Sequence, residues 1–246
     1  MIYFVTGGSR GIGAAIVLQA IEEGHDVGFT FVSKEEQAKE VVERAKQIRP
    51  EARCKCYRMD VRDPDDVDRV GNQFLDDFES IDVVVNNAGV NRDNLAVSMS
   101  NEEWNDVIAT NLSGPFFVTR QFLTTMLANR FGRIINISSV SARGATGQAN
   151  YAAAKSGLIG FTKTLAKEYG PKNITTNVVM VGFFETEMTR EHLSQSNRDF
   201  WMKYCPKRRI GELPELSKII TFLASEAATF INGEELWVTG GLDYAP

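Results

Sequence analysis

Tyr151 and Lys155 stand four positions apart in a stretch, Tyr151–Tyr169, whose apolar spacing predicts a helix. Side chains at positions i and i+4 of a helix share a face, so the phenol and the amine are expected to be neighbours. A free tyrosine has a pKa near 10, and a nearby cation favours the phenolate. Lowering that pKa by about 3 units requires about 4 kcal/mol, which one close ammonium in a partly desolvated cleft can supply. The pair is a candidate for proton transfer, although the same spacing also occurs in ordinary surface pairs.

A glycine-rich segment near the amino terminus could bind phosphate groups. It runs Thr6-Gly7-Gly8-Ser9-Arg10-Gly11-Ile12-Gly13 and joins the first predicted strand to the first predicted helix. Glycines let the backbone approach a pyrophosphate, and the free N–H groups at a helix amino terminus attract its charge. The position of the segment predicts a dinucleotide site rather than a plain tight connection. We expect its contacts to come from Gly7, Ser9, Arg10, Gly11, Ile12 and Gly13.

The residues that choose between the two nicotinamide dinucleotides are expected about 20 positions further on, where an acidic side chain would bond the ribose of NAD. That position holds Ser33, followed by Lys34. A phosphate on the ribose could pair with Lys34 and with Arg10, so NADPH is favoured. Glu35 and Glu36 lie close by, but we expect them to begin the next helix, where acidic residues suit the helix dipole.

Alternating apolar runs and amphipathic stretches must position these residues. Seven strands are predicted, at Ile2–Val5, Val27–Val32, Cys54–Met59, Ile81–Asn86, Arg133–Ser138, Thr175–Val181 and Leu236–Val238. Six helices are predicted, at Ile12–Glu23, Glu35–Arg49, Pro64–Phe78, Glu102–Leu127, Tyr151–Tyr169 and Leu213–Leu223. This alternation predicts an α/β fold, a doubly wound parallel sheet in three α/β/α layers of the Rossmann-like kind. Residues 1–246 are expected to form a single domain.

The composition of the 246-residue chain narrows its partners. A net charge of −5 argues against nucleic acid, and no long apolar run or basic amphipathic segment supports a membrane partner. The amino terminus lacks the pattern of a signal peptide. Three cysteines and two histidines are too few for a disulfide framework or a metal site. We therefore expect no metal, and reduced thiols in a cytoplasmic protein, with Cys54 and Cys56 on one face of a strand.

Three further motifs follow in chain order. Asn86-Asn87-Ala88-Gly89 ends the fourth strand, Thr110-Asn111-Leu112-Ser113-Gly114 lies in a helix, and Ile135-Asn136-Ile137-Ser138-Ser139 ends the fifth strand. With the TGxxxGxG turn and the YxxxK pair, their order and spacing resemble the short-chain dehydrogenase/reductase family over the whole chain. The similarity is greatest to 3-oxoacyl-[acyl-carrier-protein] reductases and to acetoacetyl-CoA and polyketide ketoreductases. It is carried by Asn91–Leu95, Glu103–Trp104, Gly147–Tyr151 and Phe222–Ser225.

The resemblance implies a role for each matching position. Tyr151 would protonate a ketone oxygen as hydride arrives from the nicotinamide, Lys155 would hold the nicotinamide ribose, and Asn111 would hold a water that links Lys155 to solvent. A serine would orient the carbonyl. The remaining cofactor contacts would be Asp60 and Val61 at the adenine, Asn86, Ala88 and Gly89 at its ribose, and Gly182 and Thr186 at the nicotinamide.

Two positions depart from the family pattern. The usual spacing of 13 residues before the tyrosine selects Ser138, whereas alignment along the strand selects Ser139. We favour Ser139, because the loop 140–147 can lose a residue at small cost, and Ser138 remains the alternative. Val181 stands where relatives carry proline, so we expect a looser cofactor loop.

The segment 183–210 is expected to be a substrate lid. It contains Phe183, Phe184, Phe200, Trp201 and Tyr204, which either pack the loop or form a pocket for a long, unsaturated or aromatic acyl chain.

By resemblance, the chain reduces a β-ketoacyl thioester with NADPH in fatty-acid or polyketide synthesis, the substrate being carried by acyl carrier protein or by coenzyme A. A free ketone or secondary alcohol is the alternative substrate, and a catalytically idle nucleotide-binding subunit is a hypothesis of another class. Arg130 and Lys172 match basic residues that contact the carrier protein near the cleft mouth. A homotetramer would form through Glu102–Leu127, Tyr151–Tyr169 and Leu236–Leu242.

Overall fold

The computed structural model describes residues 1–186 and 195–243, without the side chains of residues 195–197 and 200. One parallel sheet of seven strands forms its centre, in the order β3-β2-β1-β4-β5-β6-β7. The strands are β1 Ile2–Val5, β2 Asp26–Phe31, β3 Cys54–Arg58, β4 Val83–Asn86, β5 Gly132–Ser139, β6 Ile174–Val181 and β7 Glu235–Val238. All seven predicted strands are confirmed. The order reverses between β1 and β4, which is the switch point where doubly wound folds bind ligands.

Helices cover both faces of the sheet. They are α1 Gly11–Glu22, α2 Glu35–Ile48, α3 Pro64–Phe78, α4 Asn101–Ile108, α5 Gly114–Asn129, α6 Ala149–Tyr169, α7 Gln195–Tyr204 and α8 Leu213–Ala224. The predicted α/β fold is confirmed. The sequence did not predict α7.

Each face of the sheet has its own apolar core, as expected for parallel strands that are buried on both sides. On one face, side chains of α1, α2 and α8 pack together, among them Ile16, Ile21, Val41, Leu216 and Ile220. On the other face, α3, α5 and α6 contribute Phe74, Phe122 and Leu165. Phe4 joins this second core, with ring centroids 5.0 Å from Phe74 and 4.7 Å from Phe122. The two cores hold the strand ends that carry the polar motifs.

The stretch predicted as one helix, Glu102–Leu127, contains a π-helical segment, Ala109–Ser113, between α4 and α5. In this segment the N–H of Gly114 donates to the carbonyl oxygen of Ala109, five residues back. Such a bulge rotates the side chains that follow it and is frequent at functional sites. It places Asn111 inside the protein, where the motif analysis had expected a site residue.

Val181 is the last residue of β6 and is paired on both sides, with Ser139 of β5 and Val238 of β7. The N–H of Gly182 then donates to the carbonyl oxygen of Val238 at 3.0 Å. Valine keeps the N–H group that proline lacks, and the strand ladder continues to Val181. The looser cofactor loop stays a prediction, because it concerns the residues that follow the strand.

Cys54, Cys56 and Cys205 are free thiols. Cys54 and Cys56 both pack against the first core, as expected for alternate residues of one strand. Within residues 1–186 and 195–243, none of the helices combines the length and the apolar character that crossing a membrane requires.

Candidate active site

The carboxyl ends of the strands open into a cleft of about 670 Å³ at the switch point. Most of the predicted site residues line it. They are Gly7, Ser9, Arg10, Gly11, Ile12, Gly13, Ser33, Lys34, Asp60, Val61, Ala88, Gly89, Ser138, Ser139, Tyr151, Lys155, Gly182 and Thr186. Four of the predicted site residues do not line the cleft: Asn86, Asn111, Arg130 and Lys172.

The glycine turn is shaped to bring backbone close to a ligand. Gly7 and Gly11 adopt φ values of +69° and +56°, which side chains with a Cβ rarely adopt. A Cβ on Gly13 would lie 2.1 Å from the carbonyl oxygen of Gly7, so the turn and α1 could not pack as they do. No described side chain caps the first N–H groups of α1. These donors fit the pyrophosphate of a dinucleotide.

The part of the cleft beyond the glycine turn, at the end of β2, is basic. Ser33, Lys34 and Arg10 line it together. Arg58 lies beside them, its Nε donating to the carbonyl oxygen of Val32 at 3.2 Å. The sequence analysis missed Arg58, because only the pairing of β2 with β3 brings it to this end.

Glu35 and Glu36 begin α2, as expected. Lys39 pairs with both carboxylates, at 3.0 Å and 3.1 Å.

Ser139 and Tyr151 meet in the cleft, while Ser138 does not take part. Ser139 Oγ accepts from the N–H of Ser141 at 3.1 Å, and its hydroxyl lies close enough to the Tyr151 phenol to lower the pKa of that phenol. The Ser138 hydroxyl is buried and donates to the backbone carbonyl of Lys155 at 3.0 Å. Consecutive residues of a strand point to opposite faces, so only one of the two serines can face the phenol.

Tyr151 and Lys155 face each other across one turn of α6, with the Lys155 Nζ 5.6 Å from the centre of the Tyr151 ring. Burial lowers the pKa of Lys155 to about 8. Its Nζ donates to the carbonyl oxygen of Ile137 at 2.7 Å.

Burial raises the pKa of Tyr151 to about 12, although the Ser139 hydroxyl lowers it in part. In the protein alone, the loss of solvation dominates the pKa of Tyr151. The lowering expected from Lys155 together with the positive nicotinamide ring stays a prediction.

Asn111 is fully buried, and the backbone of Val90 holds both ends of its amide. Its Oδ1 accepts from the Val90 N–H at 2.9 Å, and its Nδ2 donates to the Val90 carbonyl at 2.8 Å. A Cβ on Gly89 would lie 3.1 Å from Asn111 Oδ1 and 3.7 Å from Lys155 Nζ. Asn111 therefore anchors the segment after β4 beside Lys155.

Asn86 is placed inside the sheet rather than in the cleft. Its Nδ2 donates to Asn136 Oδ1 at 2.8 Å and to Thr119 Oγ1 at 3.1 Å. The side chain of the next residue, Asn87, lines the cleft and donates to the carbonyl oxygens of Thr6 and Gly7. The contact of Asn86 with the ribose stays a prediction. The alternation of side chains at the end of β4 was the signal that could have separated the two.

Asp60 and Val61 lie at the rim with Arg62, which the sequence analysis did not single out. The Arg62 Nη2 lies 2.6 Å from Asp60 Oδ2, and this pairing lowers the pKa of Asp60.

The segment predicted to be a lid partly lies outside the described residues, which lack 187–194. Its ends are joined, since the N–H of Gly211 donates to the Phe183 carbonyl at 2.9 Å. Phe183 stacks on Trp201 with centroids 5.0 Å apart, while Phe184 is buried in the first core. Phe184 therefore packs in the core as well as lining the cleft. The side chain of Phe200 is outside the described residues. Gly182 and Thr186 face the glycine turn from this side.

Arg130 and Lys172 lie at the amino ends of the strands, whereas Tyr151 lies at the carboxyl ends. Arg130 ends α5 and Lys172 precedes β6, so both stand at the amino ends of strands. β5 extends for eight residues between that edge and Ser139, which is about 23 Å at 3.3 Å per residue. The prediction that they lie near the cleft mouth is wrong within one protomer, because parallel strands carry their two ends to opposite edges.

The fold and this site define a class of protein: the chain belongs to the short-chain dehydrogenase/reductase family of nicotinamide-dependent oxidoreductases. The family profile described as Enoyl-(Acyl carrier protein) reductase matches residues 7–243.

Two curated relatives are named 3-oxoacyl-[acyl-carrier-protein] reductase FabG. The protein of Salmonella typhimurium is 43% identical over 242 residues, which cover 98% of this chain and 96% of that protein. The protein of Staphylococcus epidermidis is 41% identical over 239 residues, with 97% of each covered. The crystal structure of levodione reductase superimposes with a TM-score of 0.93 at 28% identity and covers 98% of this chain and 97% of its own.

Proposed function

We propose that the protein reduces 3-oxoacyl thioesters to 3-hydroxyacyl thioesters with NADPH, acting on substrates bound to acyl carrier protein. The observation that carries the proposal is the meeting of the Ser139 and Tyr151 hydroxyls beside Lys155, at the end of a cleft that begins with the glycine turn. Relatives named 3-oxoacyl-[acyl-carrier-protein] reductase at 41–43% identity support the substrate class.

The phenol is suited to giving a proton. With a pKa of about 12, Tyr151 is protonated at neutral pH and can donate to an oxygen on which negative charge develops. Ser139 would donate a second hydrogen bond to that oxygen and so hold the carbonyl. Lys155 would hold the ribose hydroxyls, since its amine already lies in the cleft. When bound, the nicotinamide supplies the hydride.

The preference for NADPH rests on charge. Arg10 and Lys34 line the end of the cleft where the adenosine ribose would lie, and Arg58 bonds the carbonyl of Val32 beside it. Lys39 pairs with the two nearby glutamates. Arginine pairs well with phosphate, whereas a carboxylate would repel it. We expect kcat/KM for NADPH to exceed that for NADH at least tenfold, which is about 1.4 kcal/mol.

The proposed contact with the carrier protein depends on the proposed homotetramer. Arg130 and Lys172 could contact an acidic carrier at a cleft only if a second protomer brings its opposite edge there, which a homotetramer paired through α5 and α6 would allow. The exposed aromatic side chain of Phe116 on α5 supports such pairing. The three free thiols are consistent with a reducing cytoplasm.

The test is NADPH oxidation with matched substrates: a 3-oxoacyl thioester on carrier protein, its coenzyme A ester, a free ketone and a 2-enoyl thioester. We expect reduction of the 3-oxo thioesters, and loss of at least about 10²-fold in kcat in Tyr151→Phe with NADPH binding retained. Reduction of the enoyl thioester alone would contradict the proposal and would fit the other name that the family profile carries.

Two further outcomes define the alternatives. Reduction of the free ketone alone would make the protein an oxidoreductase of small ketones. NADPH binding without turnover on any substrate would fit an idle nucleotide-binding subunit.

The carrier contact is tested with Arg130→Glu/Lys172→Glu. We expect activity on the carrier-bound substrate to fall about tenfold, with the coenzyme A ester little affected. No loss on either substrate would remove the carrier contact from the proposal, whereas equal loss on both would indicate damaged folding.

A further inference from the structure

Four charged side chains form a chain of ion pairs along the rim of the cleft. Asp60 pairs with Arg62 at 2.6 Å, Arg62 pairs through its Nη1 with Asp106 Oδ1 at 2.6 Å, and Arg92 pairs with Asp106 Oδ2 at 2.9 Å. Each oxygen of Asp106 is thus engaged by a different arginine. Arg62, Asp106 and Arg92 all line the cleft.

The two arginines come from different halves of the site. Arg62 lies in the segment after β3, next to Asp60 and Val61, where the adenine is proposed to bind. Arg92 lies in the segment after β4, beyond Gly89 and Val90. Asp106 stands between them on α4 and joins the two segments directly.

The segment of Arg92 leads to the catalytic helix. The carbonyl oxygen of Arg92 accepts a hydrogen bond from Asn150 Nδ2 at 3.0 Å, and the carbonyl oxygen of Glu103 on α4 accepts a second one at 3.1 Å. Asn150 is fully buried, and its Oδ1 accepts from the N–H of Tyr151 at 2.7 Å. The start of α6 is therefore held by the same two elements that Asp106 ties together.

We propose that Asp106 is a positioning residue shared by both halves of the site: through Arg62 it shapes the adenine end, and through Arg92 and Asn150 it places Tyr151. The proposal rests on the proposed function for the identity of the two ligands. Exposed ion pairs contribute little to stability, whereas a displacement of about 1 Å at the reacting atoms can cost about 10²-fold in rate. The effect on kinetics should therefore exceed the effect on folding.

Three variants separate the two arms. Arg62→Met removes the charge-assisted contacts of Arg62 with Asp60 and Asp106, so it should raise the dissociation constant of NADPH about tenfold. It should leave kcat at saturating NADPH within about twofold. Arg92→Met should do the reverse and lower kcat about tenfold with NADPH binding unchanged. Asp106→Asn, which keeps the shape of the side chain, should do both.

Arg53→Met is the matched control. Arg53 makes a similar two-pronged contact with Asp26, at 2.8 Å, and its side chain is 46% exposed, against 47% for Arg62. Arg53 lies just before β3, at the amino end of that strand and away from the cleft at the carboxyl ends. Neither NADPH binding nor kcat should therefore change. If Asp106→Asn behaves like Arg53→Met, or loses melting temperature without the separate effects on binding and kcat, the proposal is wrong.

A measurement without turnover separates this proposal from the proposed function. Hydrogen exchange of the amides of residues 150–155 should be faster in Asp106→Asn and in Arg92→Met than in the wild type, and unchanged in Arg62→Met and Arg53→Met. An enzyme that reduced none of the substrates would defeat the proposed function, yet this pattern would still support the positioning role. Equal exchange in all five proteins would overturn it. If Asp106→Asn does not fold, the Arg62→Met/Arg92→Met double variant should show both kinetic losses together, and retention of either property there would also overturn the proposal.

Discussion

Ser138 and Ser139 are adjacent in the chain and have different partners. The Ser139 hydroxyl lies beside the Tyr151 phenol and lowers its pKa, whereas Ser138 is buried and donates to the Lys155 carbonyl. The first contact can act on a reacting oxygen, and the second can only support the helix. This difference between neighbours makes them a matched pair for mutation.

We predict that Ser139→Ala lowers kcat by about 10²-fold, the effect of losing one donor to a developing oxyanion, with NADPH binding unchanged. Ser138→Ala should leave kcat within a few fold and lower the free energy of unfolding by about 1 kcal/mol. Steady-state kinetics and urea denaturation of both variants measure this. The opposite assignment of the two losses would make Ser138 the catalytic serine.

Lys155 gives a second prediction at the residue scale, in the pH dependence of stability. Burial lowers its pKa from 10.5 to about 8, so between these pH values the unfolded chain binds more protons than the folded chain. Stability therefore rises with pH across this window, and the cost of burying the ammonium is fully present below about pH 8. Lys155→Met removes the titrating group.

The free energy of unfolding of the wild type minus that of Lys155→Met should be constant below about pH 8 and then rise by about 3 kcal/mol up to about pH 10.5. Urea denaturation at several pH values measures the difference. A difference that stays flat across this window would show that Lys155 is not buried as an ammonium.

At the scale of elements, the glycine turn before α1 depends on close packing between its two ends. A Cβ on Gly13 would lie 2.1 Å from the carbonyl oxygen of Gly7, whereas a Cβ on Gly160, on α6, meets nothing within 4 Å. The same substitution at the two positions therefore separates a steric effect on the turn from a general effect of alanine.

Gly13→Ala should weaken NADPH binding at least about tenfold, because the turn must open and its N–H donors move away from the pyrophosphate. Gly160→Ala should leave NADPH binding unchanged. Fluorescence titration with NADPH measures both. Unchanged binding in Gly13→Ala would mean that the pyrophosphate does not lie on this turn.

At the scale of the whole molecule, the face formed by α5 and α6 carries one exposed aromatic side chain, Phe116, beside partly buried ones. Phe116 is 45% exposed, with its ring centroid 6.3 Å from that of Phe161. The guanidinium of Arg120 lies 5.3 Å from the centre of the Phe116 ring.

We predict a tetramer in solution, and a smaller species for Phe116→Glu, because a charge placed in an apolar contact loses its hydration without a partner. Light scattering at micromolar concentration measures both. A monomeric wild type would contradict the assembly and the proposed route by which Arg130 and Lys172 reach a cleft.

The sequence alone determined the elements and most of the site. All seven strands and six of the helical stretches follow from local apolar spacing, because a strand or helix is encoded in the residues that form it. The glycine turn was recognised from its residue types and its place between a strand and a helix. Tyr151 and Lys155 were candidates by their spacing, and their roles came from the resemblance to the family. The helix Gln195–Tyr204 has no such clear pattern and was missed.

Only the tertiary structure decided which side chains face the cleft. It gave Ser138 and Ser139 different partners and placed the side chain of Asn87, rather than that of Asn86, in the cleft. The direction of a side chain at a strand end depends on how that strand sits in the sheet. It also moved Arg130 and Lys172 to the far edge and joined Arg62, Asp106 and Arg92, which come from three separate segments. Burial raises the pKa of Tyr151 in the protein alone, since solvation depends on everything packed around the phenol.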